Sequence, residues 1–216
     1  MKQLLIVFIL FVSVAKAAAQ IPVGVLAGHE RSTFDVLFFR YLKTQDSQDS
    51  RWLFFNRNRA SVDYRITSTQ YLPQFGFTEA ISYNSPQLRG IAPVLVAQLL
   101  NRGVSAKTGL QYARIAKTFT LFGWVVTEIR QSPNIDLFIL ARFTPPISEK
   151  TQLFSQLELL NAFPTAFMGS YSFIQRARLG LKMKDWQYGL GVDLTRTGYQ
   201  NWVTTQNIGV FLRHEF

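Results

Sequence analysis

Cysteine is absent from the 216-residue sequence, which excludes a disulfide framework, Cys-ligated zinc, thiol catalysis and a lipid-modified N-terminal cysteine. Charged residues are scarce, at 17%. Past the N-terminus no long apolar run occurs. The longest, Ile91 to Leu100, is interrupted by Pro93 and Gln98 and falls short of the roughly 18 residues of a membrane-spanning helix. Histidine occurs only as His29 and His214, and with dispersed carboxylates this offers no metal-ligand spacing. Gly-rich phosphate loops are missing, and Gly189-Leu190-Gly191 sits inside a strand-like stretch. What is present is an apolar chain, 48% hydrophobic, with 19 Phe, 8 Tyr and 4 Trp, too hydrophobic to remain disordered. It carries 23 Lys and Arg against 13 Asp and Glu.

Residues 1–19 read as a secretory signal peptide. Met1-Lys2 supplies a positive start, Leu4 to Val14 is apolar apart from Ser13, and Ala17-Ala18-Ala19 precedes Gln20 as a small-residue cleavage site. The apolar stretch is too short to cross a hydrocarbon core of about 30 Å as a helix. Cleavage leaves residues 20–216 as one domain.

Within that domain, alternation with period two replaces helical periodicity. Trp186, Tyr188, Leu190, Val192 and Leu194 share one face, with Gln187, Gly189, Gly191, Asp193 and Thr195 on the other. Ile135, Leu137, Ile139, Ala141 and Phe143 alternate with Asp136, Phe138, Leu140 and Arg142. Strand-length segments at 33–42, 52–66, 75–84, 91–100, 104–115, 119–130, 134–144, 151–162, 166–182, 186–196 and 202–216 are separated by turn residues such as Asn101-Arg102-Gly103 and Pro145-Pro146. Many match the nine to eleven residues of a tilted membrane-crossing strand. The pattern predicts an all-β protein, a single antiparallel transmembrane β-barrel. An even strand number turns the eleven segments into ten or twelve, with twelve favoured and Pro22 to Gly28 supplying the extra strand.

The end of the chain sharpens the class. Ile208, Val210, Leu212, His214 and Phe216 share one parity, and the chain stops on Phe216. This resembles the C-terminal signal of bacterial outer-membrane β-barrels, in which alternate apolar residues lead to a terminal aromatic. The resemblance implies an outer-membrane location, outer-membrane lipid around the strands, and recognition of Ile208, Val210, Leu212 and Phe216 by the barrel-assembly machinery. His214 departs from the apolar or aromatic residue usual at its position. Trp52, Trp186, Trp202, Tyr71, Tyr83 and Tyr188 lie near segment ends, where amphipathic rings suit the interface between lipid and water.

Charges on the face opposite the apolar residues are expected to line the lumen, because Arg or Lys facing lipid at the midplane costs about 2–4 kcal/mol. These are Arg57, Arg59, Asp63 and Arg65, then Glu128, Asp136, Arg142 and Glu158, then Arg176, Arg178, Lys182 and Asp193, and finally Arg213 and Glu215. They serve either as salt-bridge ladders that fill the barrel or as a lining that favours anions. Arg114, Asn56 and Asn58 break the parity, which predicts a bulge, a strand end or a position above the membrane there. Neither histidine has a serine at the strand spacing of a barrel-embedded lipid hydrolase. The expected function is therefore non-enzymatic: a small passive channel or uptake barrel for small, preferably anionic solutes. A closed structural barrel in an envelope complex is the alternative, and a lipid-modifying enzyme the third. No cofactor or metal is expected, and export with dispersed arginines argues against nucleic acid and for anionic solute or lipopolysaccharide as the partner of the positive charge.

Overall fold

The structure, a computed structural model, describes residues 21–64, 74–101, 103–129, 133–166 and 169–216. The expected signal peptide, Arg65 and Tyr71 lie outside them. Twelve strands follow one another: β1 Pro22–Gly28, β2 Arg31–Lys43, β3 Asp49–Asp63, β4 Gln74–Tyr83, β5 Ile91–Leu100, β6 Gly103–Ile115, β7 Phe119–Glu128, β8 Asn134–Phe143, β9 Thr151–Pro164, β10 Tyr171–Met183, β11 Trp186–Gly198 and β12 Trp202–Glu215. Each pairs antiparallel with its sequence neighbours, and β1 pairs with β12 to close the barrel. The twelve-strand reading holds, with Pro22–Gly28 as the extra strand. The segment expected at 166–182 instead begins at Tyr171, because Ala166 and Gly169 close a turn through a backbone hydrogen bond of 3.1 Å.

Alternation assigns each side chain to a face. Leu95, Leu110, Val125, Leu179, Leu190 and Val210 point outward and are each more than half exposed, forming an apolar outer band. Aromatic rings flank it. Near the end that carries the chain termini, Trp52 meets Tyr83 edge-on and His214 lies between Trp186 and Phe216. Toward the opposite end, Tyr171, Phe173, Tyr199 and Trp202 stack with one another. Inward glycines let adjacent strands bend closely: Gly180 faces Gly189 in the β10–β11 register, and a Cβ on Gly180 would sit 2.0 Å from the Tyr188 carbonyl oxygen.

The inward face is not uniformly polar. Leu37, Leu53, Phe55, Val94, Val96, Phe122, Trp124, Val126, Phe138 and Leu140 form a buried cluster. Phe55 stacks on Phe122 at 5.1 Å and meets Trp124 edge-on at 4.8 Å, and Phe39 stacks on Phe122 at 5.2 Å. Strands β2 to β8 therefore contribute a hydrophobic core inside the barrel. A smaller one, Leu26, Phe154 and Phe211, lies where β1, β9 and β12 face one another.

The parity break at Asn56 and Asn58 produces neither the bulge nor the strand end that were among its expected outcomes. β3 continues through it in unbroken register with β2 and β4, and the one β2–β3 irregularity lies between Tyr41 and Lys43. Asn56 and Asn58 thus point outward in mid-strand. They are compensated laterally: Asn58 donates to Asn56 Oδ1 at 3.2 Å, and Asn56 donates to the Glu79 carboxylate on β4. A carboxylate on the apolar face keeps its donor in this way. Replacing Asn56 with Leu strands that carboxylate and is expected to lower stability by about 1–3 kcal/mol, whereas Asn56→Leu with Glu79→Leu recovers most of the loss. Thermal unfolding in detergent, followed by heat-modifiable gel mobility across this mutant cycle, measures it.

Candidate functional site

The polar residues of the lumen converge on one network. Arg57 from β3 reaches Glu158 on β9 at 2.7 Å and Asp35 on β2 at 3.1 Å. Glu158 also holds Arg176 of β10 at 3.4 Å and accepts a hydrogen bond from Gln156 at 2.7 Å. Asp193 on β11 binds Arg178 at 2.6 Å and pairs with Arg59 across the lumen. The Arg57 and Glu158 side chains are only 7% and 3% exposed, so the network lies out of bulk water, where a carboxylate bound by several guanidinium groups keeps its charge.

Two further clusters flank it. Lys107 on β6, 2% exposed, pairs with Asp136 on β8 and lies 3.9 Å from Glu128. Lys182 binds Glu215 at 2.5 Å, and Gln187 donates to the other oxygen of that carboxylate at 2.6 Å. Between the Lys182 pair and the central network, Arg142 and Arg213 both donate to Gln156 Oε1, at 2.9 and 3.3 Å.

Of the residues read as lumen-facing, Arg57, Arg59, Glu158, Arg176, Arg178 and Asp193 thus meet in one cluster, Arg142 joins it through Gln156, and Glu128 and Lys182 belong to the flanking pairs. Asp35 and Lys107 were missed, although Thr33, Asp35, Leu37 and Phe39 alternate with apolar neighbours and carry the needed signal. Arg114 lies one residue from the end of β6, in keeping with the expected strand end. The histidines lie apart along β12: His29 Nδ1 accepts from the Ile208 amide near the middle of the strand at 3.0 Å, and His214, at its end, packs among outward rings. Among the described residues no Ser–His hydrogen bond occurs and no group of three or more His, Asp or Glu is placed to hold a metal ion.

The space around the network is unequal. Toward the end opposite the termini a vestibule of about 510 Å³ is lined by Arg31, Arg59, Arg176 and Asp193 with the hydroxyls of Thr33, Ser61, Ser172, Thr195 and Thr205. A recess of about 220 Å³ adjoins it, reaching Lys107, Asp136 and Trp124 and sharing Arg59, Ser172 and Arg176 with the vestibule. On the side of the termini a smaller cavity of about 50 Å³ lies beside Phe154, Gln156, Phe211 and Arg213. The arrangement offers a polar, hydroxyl- and arginine-lined chamber that narrows onto an ion-paired waist.

Glu158 organises that waist. Its replacement by Gln leaves Arg57 and Arg176 short of a buried counter-charge and is expected to destabilise the barrel by about 3–5 kcal/mol. Glu149→Gln, in the exposed turn before β9, leaves stability unchanged. Unfolding midpoints of both variants in detergent, compared with the unsubstituted protein, provide the check.

No family model and no curated protein matches the sequence. Solved structures do resemble it in shape. The NanC porin structure in a rhombohedral crystal form superposes with a TM-score of 0.51 and 8% identity, over 92% of this chain and 100% of that one. The β domain of the Bordetella autotransporter BrkA gives a TM-score of 0.33 at 9% identity, covering 91% and 98% of the two chains. A mutant porin of Rhodopseudomonas blastica gives 0.26 at 9%, covering 92% and 98%. The latter two are too distant to inform this chain. The first bears out the fold, and the chain is a closed twelve-stranded antiparallel β-barrel that shares its overall shape with a porin.

Proposed function

We propose that the chain is an outer-membrane β-barrel that acts as a small passive channel or uptake barrel for small, preferably anionic solutes. The observation that carries this reading is the vestibule, whose Ser and Thr hydroxyls lead a solute onto Arg59 and Arg176 at the waist. Positive charge exceeds negative charge in the connected network: Arg57, Arg59, Arg142, Arg176, Arg178 and Arg213 stand against Asp35, Glu158 and Asp193. A surplus of fixed guanidinium charge raises the local anion concentration and disfavours cations. Membrane residence is supported by the apolar outer band between aromatic rings and by the edgeless sheet, since hydrocarbon satisfies no backbone group. In that setting the barrel-assembly machinery would read the strand ending in Phe216, and lipopolysaccharide would be a second anionic partner.

A specific observation also favours the closed structural barrel. Phe122, Val96 and Leu140 are fully buried inside the barrel, so the side of β2 to β8 is packed shut. Transport under the proposed reading runs past the arginine side of the lumen, along β9 to β12.

Conductance of the purified protein in planar bilayers, with reversal potentials under a salt gradient, separates the two. Channel function predicts discrete conductance with anion preference, and Arg176→Ser with Arg178→Ser is expected to widen the passage and shift the reversal potential toward cations. Absence of conductance, with the double variant only less stable, supports the closed barrel.

A further inference from the structure

At the end of the barrel that carries the termini, the outer surface is indented. A groove of about 440 Å³ lies there, lined by Lys150, Met183, Lys184, Trp186, Tyr188 and Leu212. Its floor is apolar, for Met183, Trp186, Tyr188 and Leu212 are outward and exposed. Register explains how they meet: Met183 of β10 stands opposite Trp186 of β11, and Tyr188 of β11 opposite Leu212 of β12, so three neighbouring strands supply one surface. The Tyr188 hydroxyl donates to Met183 Sδ at 3.0 Å, which ties the ring to the thioether across the floor.

The two lysines sit just beyond that floor. Thr151 and Met183 are the last pair of the β9–β10 ladder at this end, and Lys150 and Lys184 are the next residues on the two chain segments, both exposed. Like charges placed side by side in this way disfavour one another. Glu149 and Asp185 adjoin them in sequence, yet no carboxylate lines the groove, and among the described residues neither lysine forms an ion pair. Lys184 also takes a φ of 52° in the two-residue connection between β10 and β11, the left-handed region that Asn or Gly fills with less strain.

We propose that this groove holds one anionic phospholipid, its phosphate between Lys150 and Lys184 and an acyl chain along Met183, Trp186, Tyr188 and Leu212. Apolar surface, then aromatic rings, then cations is the order in which a phospholipid presents chain, interface and phosphate. The volume falls within the range of about 300–1,000 Å³ usual for small-molecule sites. A zwitterionic head brings its own ammonium group toward the lysines, so the pair selects a head with net negative charge. The inference rests on the membrane reading above and goes beyond it, since immersion in lipid by itself requires no headgroup preference.

The test is native mass spectrometry of the full barrel in detergent, titrated with dioleoylphosphatidylglycerol, dioleoylphosphatidylcholine, lipid A or glycerol phosphate. The site predicts one retained phosphatidylglycerol, bound about tenfold or more tighter than phosphatidylcholine, and no retention of glycerol phosphate. Lys150→Gln and Lys184→Asn each weaken that binding about fivefold, the loss expected of one lysine near an anionic headgroup, and together they abolish the preference. Lys184→Asn suits the left-handed turn, so its loss of lipid is not a loss of fold. Lys117→Gln, in the β6–β7 turn at the same end but outside the groove, binds as the original does. Equal retention of the two phospholipids, or an undiminished preference in the double variant, overturns the proposal. Tighter binding of lipid A, or binding of glycerol phosphate alone, also overturns it. Should the double variant fail to fold, the headgroup comparison on the original chain and on Lys184→Asn decides. Equal retention of both phospholipids leaves the membrane reading standing, whereas a protein that stays folded and monodisperse without detergent and retains no lipid contradicts that reading itself.

Discussion

Seven residue pairs between β1 and β12, from Pro22 opposite Glu215 to Gly28 opposite Gly209, convert a twelve-stranded sheet into a cylinder with no free edge. Closure satisfies the peptide groups of all twelve strands within the protein, which is the condition for a sheet to stand in hydrocarbon. It also divides the side chains into two environments. Outward residues are mostly large and hydrophobic, while inward residues share a confined space in which buried charges need partners. The filled interior and the distribution of arginine both follow from that division.

A twelve-stranded circumference encloses more volume than side chains fill by default, and this chain fills it unevenly. Aromatic and aliphatic residues from β2 to β8 pack one side as a conventional core, with Phe55, Phe122, Trp124 and Phe138 in mutual ring contact. Long arginines from β3 and β8 to β12 cross the other side and are tied by Asp35, Glu158 and Asp193. The hydrophobic half gives a packed wall, and the charged half leaves a vestibule and smaller cavities. Glu158 ties the charged half together, because its two guanidinium partners, Arg57 and Arg176, come from separate strands.

The fold was legible in the sequence wherever the two faces differ in polarity. β11 shows this best, its apolar Tyr188, Leu190 and Val192 alternating with Gln187, Gly189 and Asp193. β7 hides the same geometry, because outward Leu121 and Val125 and inward Phe122, Trp124 and Val126 are all apolar, so periodicity vanishes and the internal core goes unseen. β1 is only seven residues long with little polarity on either face, and parity of strand number, rather than its own pattern, pointed to it. Asn56 and Asn58 misled in the opposite sense, since a hydrogen-bonded partner on the adjacent strand makes outward polarity tolerable without a bulge. The sequence placed most arginines on the inward face, but their pairings depend on register across the whole barrel. Arg59 and Asp193 are 134 positions apart, and no local spacing links them.

The absence of cysteine makes the central claim, that one face of each strand meets lipid and the other a partly filled lumen, directly measurable. Single cysteines placed along β7 and at the vestibule, in protein reconstituted into bilayers, can be labelled with a fluorophore and exposed to quenchers attached to lipid chains. The account predicts strong lipid quenching at positions 121 and 125, none at 120, 122 or 126, and ready reaction with a water-soluble thiol reagent at Ser61 and Thr195. Lipid quenching at 122 and 126, or equal quenching at consecutive positions, would contradict it.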